Sequence, residues 1–254
     1  MDISGVAAVV TGGASGLGAG TARELVAGGA KVALWDINAE LGREVAAEVG
    51  GTFHKCDVAS EDDVTAALAA ASEAHGPARI LVNCAGTAIA TKTVNRGEPH
   101  PLADWERIIR INLIGTFNCI RLAAAQMCGL EPLQDNERGV IVNTASIAGY
   151  EGPVGASAYA ASKSGVIGMT LPIARDLARD GVRVLTIAPG LFATPLAMGA
   201  LSEEYRTSLA ASVPFPQRLG EPSEFGRMVR HLAENTMMNG ETIRLDGALR
   251  MVPR

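Results

Sequence analysis

The run Val6-Ala-Ala-Val-Val10, Thr11-Gly-Gly-Ala-Ser-Gly-Leu-Gly18, Thr21-Ala-Arg-Glu-Leu-Val26 decides the fold. Five apolar residues are too few for a helix and read as a short buried strand, and the last six carry a helical pattern. Between them, Gly12, Gly16 and Gly18 let the chain turn tightly and let its backbone approach a pyrophosphate, which a helix N-terminus favours electrostatically. The spacing is TGxxxGxG, not the common GxGxxG, and a glycine-rich turn alone also fits plain packing of helix on strand. The following strand, Lys31-Val-Ala-Leu-Trp-Asp36, ends in an acid and strengthens the first reading. There Asp36 can accept hydrogen bonds from an adenosine ribose and would repel a 2′-phosphate. No Arg or Lys stands in Ala14-Ser15 or Ile37-Asn38 to receive that phosphate, so the pattern predicts NAD as cofactor.

A second stretch carries chemistry. Gly139-Val-Ile-Val-Asn-Thr-Ala-Ser146 reads as a strand ending in a hydroxyl, and Tyr159-Ala-Ala-Ser-Lys163 follows. Tyr159 and Lys163 are four apart and share a helix face, which sets an ammonium beside a phenol. A phenol of pKa about 10 transfers protons poorly at neutral pH, and a nearby cation favours the phenolate. The spacing suits a carbonyl–alcohol redox site, with Ser146 polarising the same oxygen. A solvated Tyr/Lys pair on a helix surface is the plain alternative.

Strand and helix signals alternate through the rest of the chain, which implies right-handed βαβ units and a parallel sheet. Strands are predicted near 6–11, 32–36, 52–57, 79–84, 139–145, 182–188 and 242–246, and helices near 17–28, 38–48, 60–74, 103–127, 157–179 and 222–234. The fold class is α/β: a Rossmann-type, doubly wound parallel sheet of about seven strands. It forms a single domain over residues 1–254, a length that suits one sizeable core. Two irregular stretches stand out. Cys128–Arg138 reads as a solvated loop; Thr87–Pro101 follows a strand's carboxyl end and reads either as loop or as substrate contact.

A net charge of −5 gives no broad basic surface, so nucleic acid is not an expected partner. No apolar run nears the ~18 residues of a membrane span, and none is expected. The first strand begins almost at once after Met1-Asp-Ile-Ser-Gly5, with no room for a leader. Cys56, Cys84, Cys119 and Cys128 lack CxxC spacing and read as reduced thiols, which suits a cytoplasmic location. His54, His75, His100 and His231 are scattered without acidic or cysteine partners at ligand spacing, and no metal site is expected. Ser60 before Glu61-Asp62-Asp63 reads as a capped helix start.

With these residues in place the chain resembles the short-chain dehydrogenase/reductase family. The resemblance runs over the whole chain. Its marks are Thr11–Gly18, Asp57 after the third strand, Asn83-Cys84-Ala85-Gly86 after the fourth, Asn112 on the long central helix, Ser146, Tyr159, Lys163 and the Pro189-Gly190 turn. Thr170-Leu-Pro-Ile-Ala-Arg-Asp-Leu177, Thr186-Ile-Ala-Pro-Gly-Leu-Phe192, Val213-Pro-Phe-Pro216 and Ile243-Arg-Leu-Asp-Gly-Ala248 are similar to the family's acyl-CoA-oxidising branch, the type 2 3-hydroxyacyl-CoA dehydrogenases.

The resemblance implies reversible NAD-dependent oxidation of a secondary alcohol, with a 3-hydroxyacyl-CoA as substrate. Tyr159 would be the proton-transfer group, Ser146 the holder of the substrate oxygen, and Lys163 the group that lowers the phenol pKa and binds the nicotinamide ribose. Asn112 would position a water leading from Lys163 to solvent. Ser15 and Leu17 would lie in the phosphate turn, Asp57 and Val58 beside adenine, and Asn83, Cys84, Ala85 and Gly86 in the strand-four turn. Pro189, Phe192 and Thr194 would lie at the nicotinamide end, under a substrate-covering segment of about 191–220. Relatives carry glutamines where this chain has Pro153 and Ala156, which bears on substrate preference.

Three rival readings remain. A 3-oxoacyl-carrier-protein reductase usually runs on NADPH, which Asp36 disfavours. A hydroxysteroid dehydrogenase uses NAD and the same residues. A non-enzymatic cofactor sensor would tolerate loss of Tyr159 or Lys163, and both are present. Finally, Glu241–Asp246 reads as an edge strand and Gly247–Arg254 as an apolar tail with little of its own chain to cover. Relatives are tetramers of two-fold symmetry, so a homotetramer is expected.

Overall fold

Short apolar runs separated by amphipathic ones build a parallel sheet. The computed structural model describes residues 1–195 and 202–252. Its strands are β1 (Ala7–Thr11), β2 (Lys31–Asp36), β3 (Thr52–Lys55), β4 (Ile80–Asn83), β7 (Gly139–Thr144), β8 (Val182–Pro189) and β9 (Thr242–Leu245), in the order β3-β2-β1-β4-β7-β8-β9. All neighbouring pairs are parallel. The winding reverses between β1 and β4, and at such a switch point a crevice opens beyond the strand ends.

Both faces of the sheet are covered. On one, α1 (Gly16–Ala27) packs against α8 (Pro222–Glu234) so closely that a Cβ on Gly20 would lie 2.6 Å from the Pro222 backbone. Val10, Leu25, Leu34, Phe225 and Val229 are fully buried there, each contributing about 1.5–3 kcal/mol. On the other face lie α3 (Glu61–His75), α5 (Thr116–Cys128) and α6 (Ser157–Asp176), over Val9, Leu81, Ile141 and Val184. Ser60 caps α3 as the sequence predicts, accepting from Asp63 N–H, and Asn38 does the same for Leu41 N–H at the start of α2 (Ala39–Val49).

The central helix predicted over 103–127 is not uniform. It runs as α4 (Leu102–Ile109), a π-helical turn (Arg110–Gly115) and α5. By length and composition this composite is long and apolar enough to cross a membrane, which the sequence reading did not expect. Its Cys119, Ile120, Ala123 and Met127 are buried in the core on this second face, so this apolar face packs on the sheet.

Three other expectations need correction. Thr87–Pro101 contains an exposed hairpin, β5 (Val94–Asn95) with β6 (Glu98–Pro99), and α7 (Glu203–Ala211) lies in the 191–220 segment; neither has a readable period. Cys128–Arg138 ends in buried Glu137, 5% exposed, which pairs with Arg183 at 2.7 Å and with the Met1 ammonium at 3.0 Å. Arg183 also donates to the carbonyls of Leu232, Ala233, Asn235 and Met238. Lastly, β9 is the edge strand predicted, but the tail is not bare. Leu249 is buried and Met251 N–H binds Glu151, while residues 253–254 lie outside the described residues.

Arg183→Met should leave the buried Glu137 carboxylate with the Met1 ammonium alone and several carbonyls without their donor, at about 3–5 kcal/mol. Chemical denaturation should show that loss, and adding Glu137→Gln should recover part of it.

Candidate active site

A cavity of about 590 Å³ opens at the carboxyl ends of β1, β2, β4, β7 and β8. Its floor exists because two turns meet without side chains between them. Thr11 Oγ1 accepts the N–H groups of Cys84 (3.2 Å) and Ala85 (3.1 Å), binding the end of β1 to the β4 turn. Gly12 has φ +64°, and a Cβ there would lie 2.7 Å from Ala85 N. A Cβ on Gly18 would strike the Gly12 carbonyl. Ser15, Gly16, Leu17 and Gly18 line the cavity where α1 begins, and the first turn carries no acid. Its unpaired N–H groups suit an anion.

Asp36 lines the next part of the wall, oriented by N–H groups from Ala14 (3.1 Å) and Asn38 (2.9 Å). Asp57 and Val58 follow, and Val58 packs under the π-helical turn, 2.7 Å from where a Cβ on Gly115 would stand. Cys84, Ala85 and Gly86 form the middle of the wall; Pro189, Phe192 and Thr194 form the far side. Thr194 folds back over the phosphate turn, its Cβ 3.2 Å from a Cβ placed on Gly16.

Two expected cofactor or catalytic residues stand behind the wall. Asn83 is buried and donates to Asn143 Oδ1 at 2.9 Å across the sheet. Asn112 accepts from Thr87 N–H (2.8 Å) and donates to Thr87 O (2.9 Å) and Ser162 Oγ (3.1 Å). Ser162 Oγ in turn donates to the Tyr159 carbonyl at 2.7 Å. Asn112 therefore ties the π-helical turn to the wall and to the backbone under Tyr159. A side chain on Gly86 would intrude between Asn112 Oδ1 (3.3 Å) and Lys163 Nζ (3.6 Å).

Trp35, Ile37, Thr87, Arg107, Ile111 and Thr144 also line the cavity, and the sequence reading missed them. The Arg107/Ile111 spacing of four was a usable signal. Trp35 and Thr144 were not, because buried strand positions look alike.

Ser146 begins a short 3₁₀ turn, Ile147–Gly149, and accepts from Ala148 N–H at 3.1 Å, which leaves its own proton to donate. Burial pushes the Tyr159 phenol above its usual pKa, and a hydrogen bond with Ser146 draws it back. Lys163 Nζ donates to Thr144 O at 2.8 Å and lies 5.7 Å from the centre of the Tyr159 ring. Burial lowers its pKa to about 8. The sequence predicted a phenol depressed by this lysine; here burial prevails on both groups, because each loses water on entering the cavity. Burial raises the Cys84 thiol to about 11, so it stays protonated beside them.

The predicted covering segment leaves and rejoins the body at one neck. Phe192 and Gly220 form a β-bridge, with Ala193 N–H to Gly220 O and Gly220 N–H to Leu191 O both at 2.9 Å. Residues 196–201 of that segment lie outside the described residues. Across the opening, Thr91 N–H binds Gly155 O at 2.9 Å, so the base of the Thr87–Pro101 insertion braces the Ser146–Tyr159 segment while its hairpin stands exposed.

The chain matches the family described as short chain dehydrogenase over residues 6–205. It is 55% identical to a 3-hydroxyacyl-CoA dehydrogenase type-2 of Drosophila melanogaster, over 99% of this chain and all of the relative. It is 53% identical to the protein of that name from Bos taurus, over 99% and 97% of the two chains. The crystal structure of 3-hydroxyacyl-CoA dehydrogenase type-2 from Mycobacterium avium superposes with a TM-score of 0.94, at 46% identity and 98% coverage of both chains.

Lys163 binds fewer protons folded than unfolded between pH 8 and 10.5, so its contribution makes the protein more stable as pH rises through that window. Below it the buried charge opposes folding by about 3 kcal/mol, against about 1–2 kcal/mol for the bond to Thr144. Lys163→Met should therefore raise the melting temperature at pH 7, and the gain should shrink above pH 8.

Proposed function

The chain belongs to the short-chain dehydrogenase family, and from that premise we propose that this oxidoreductase interconverts 3-hydroxyacyl-CoA and 3-oxoacyl-CoA thioesters with NAD. The observation that carries the reading is the meeting of Ser146, Tyr159 and Lys163 on one wall of a cavity whose opposite end is the glycine turn and Asp36. One end suits a dinucleotide and the other suits proton exchange at a carbinol oxygen.

The residues fit the cofactor. Gly12, Gly18 and the open N–H groups of α1 would hold the pyrophosphate, Asp36 the adenosine ribose, and Lys163 the nicotinamide ribose. When bound, the nicotinamide supplies hydride acceptance and release, and its positive ring favours a phenolate nearby. During oxidation Tyr159 Oη takes the hydroxyl proton, and during reduction it returns one. Ser146 Oγ donates to the same oxygen and holds it against the phenol. Lys163, with a pKa of about 8, can pass a proton onward at neutral pH. Asn112 keeps the wall and the Tyr159 backbone in register.

The acyl-CoA assignment draws support from the names and near-complete coverage of the relatives. The 191–220 segment and the base of the insertion would flank the thioester. We further propose a homotetramer. Ile114, Phe117 and Leu171 are exposed at 54%, 47% and 44%, and β9 leaves a sheet edge unpaired. A cytoplasmic location suits four free thiols.

Steady-state rates with acetoacetyl-CoA, an acyl-carrier-protein thioester and a hydroxysteroid test the substrate; the first should be preferred. NADH should exceed NADPH by at least tenfold in kcat/KM, about 1.4 kcal/mol, and Asp36→Ala should erode the gap. Equal use of both cofactors would sink the NAD assignment. Tyr159→Phe should retain dinucleotide binding and lose at least ~10²-fold in kcat. Light scattering should give the mass of four copies, and a monomer would refute the assembly.

A further inference from the structure

The segment between Ser146 and Tyr159 must hold two reacting groups in register, yet it is a loop over most of its length. On one side it rests on α6, where Ser164 Oγ donates to Gly149 O and a Cβ on Gly149 would lie 3.1 Å from the Lys163 carbonyl carbon. The other side is held by a residue from the far end of the chain. Arg244 on β9 meets the Glu151 carboxylate fork to fork, with Nη1–Oε1 at 2.8 Å and Nη2–Oε2 at 3.1 Å. Its guanidinium also lies over the ring of Tyr150, 5.2 Å from the centre. Two consecutive residues of the segment are thus gripped by one planar cation.

The same cation extends the grip. Arg244 Nε donates to Asp246 at 2.7 Å and Nη2 to Leu249 O at 2.9 Å, while Met251 N–H joins Glu151 at 3.1 Å. Asp246 packs on the cavity turn: a Cβ on Gly190 would lie 2.7 Å from the Asp246 Cβ. Gly247, at φ +59°, accepts from Phe215 N–H at 3.3 Å, near the end of the covering segment. One ionic cluster thereby joins the serine–tyrosine segment, the Pro189–Gly190 turn, the covering segment and the tail.

Arg244 is 21% and Glu151 26% exposed, and a pair so hydrated adds little to global stability. What a stacked, bidentate pair fixes well is position. We propose that Glu151 and Arg244 are positioning residues that set Ser146 and the pocket wall against Tyr159 and transmit the docking of the C-terminal tail to the substrate end of the site. The inference rests on the alcohol–ketone reading for its kinetic test, but not for its structural one. The cluster touches the dinucleotide cavity at the Pro189–Gly190 turn, and the adenosine and pyrophosphate part built on β1, β2 and β4 should respond least.

The experiment compares Glu151→Gln, Arg244→Met, Arg244→Lys and the Gln/Met double variant with the wild type. The readouts are kcat and KM for acetoacetyl-CoA, Kd for NADH, melting temperature, and hydrogen exchange of residues 147–156 and 12–18. Glu151→Gln and Arg244→Met should each lower kcat/KM by about tenfold, chiefly through KM, and the double variant should be no worse than either. Arg244→Lys should restore part of the loss. NADH binding should stay within twofold, and exchange should quicken in 147–156 but not in 12–18. Wild-type kcat/KM in both single variants, or a loss that follows melting temperature or NADH affinity, would overturn the proposal. If the wild type ignores acetoacetyl-CoA, the substrate reading fails by itself, and unchanged exchange in 147–156 is then the result that overturns the positioning role.

Discussion

The structure depends on the contact between the end of β1 and the turn after β4. There Thr11 Oγ1 takes the N–H groups of Cys84 and Ala85, and Gly12 lies so close to Ala85 that a methyl group would not fit. Parallel strands on either side of a switch point diverge in their connections, so nothing in the sheet ladder itself holds the turns beyond them. The hydroxyl and the glycine do. Once the turns are fixed, α1 must start over the gap with its N–H groups open, and Val58 must tuck beneath the π-helical turn. The dinucleotide end is thus assembled largely from backbone, whose position is set by steric fit.

The proton-transfer end is built on the opposite principle. Its groups are side chains drawn from β7 and α6 into a cavity that disfavours their charged forms. Burial raises the phenol and lowers the ammonium, so each group is biased toward its neutral form. A site poised this way changes charge easily when a cation enters beside it, and that is what a carbonyl–alcohol exchange needs near neutral pH. The cost is a fold less stable than an apolar filling would make it. Polar bonds on every neighbouring backbone, such as Asn112 to Thr87 and Ser162 to the Tyr159 carbonyl, keep the arrangement from relaxing.

The sequence carried the sheet well because each strand is a short buried run bounded by a turn residue, and all seven predicted strands are present. It carried the glycine turn, Asp36 and the Ser146/Tyr159/Lys163 group because those depend on local spacing. What it could not carry depends on contacts distant in sequence. Glu137 looked like loop until Arg183, forty-six residues later, buried it. The π-helical turn leaves no composition signal, since one extra residue in a helix alters geometry and not polarity. Asn83 and Asn112, both expected in the site, stand behind the wall, because a motif does not report which way a residue faces.

These differences divide the molecule by task. The β1–β4 half fixes its ligand through glycines and main-chain groups, which tolerate few substitutions without steric collision. The β7–β9 half fixes Ser146 through long-range side-chain bonds, chiefly Arg244 to Glu151, ninety-three residues apart. The segment between Ser146 and Tyr159 is held by a few further bonds, among them Ser164 Oγ to Gly149 O and Thr91 N–H to Gly155 O. Substitutions in that segment leave untouched the turn contact between Thr11, Gly12, Cys84 and Ala85. Tyr159 and Lys163 sit on α6, outside that segment, while the register of Ser146 against them is carried by the cluster at β9.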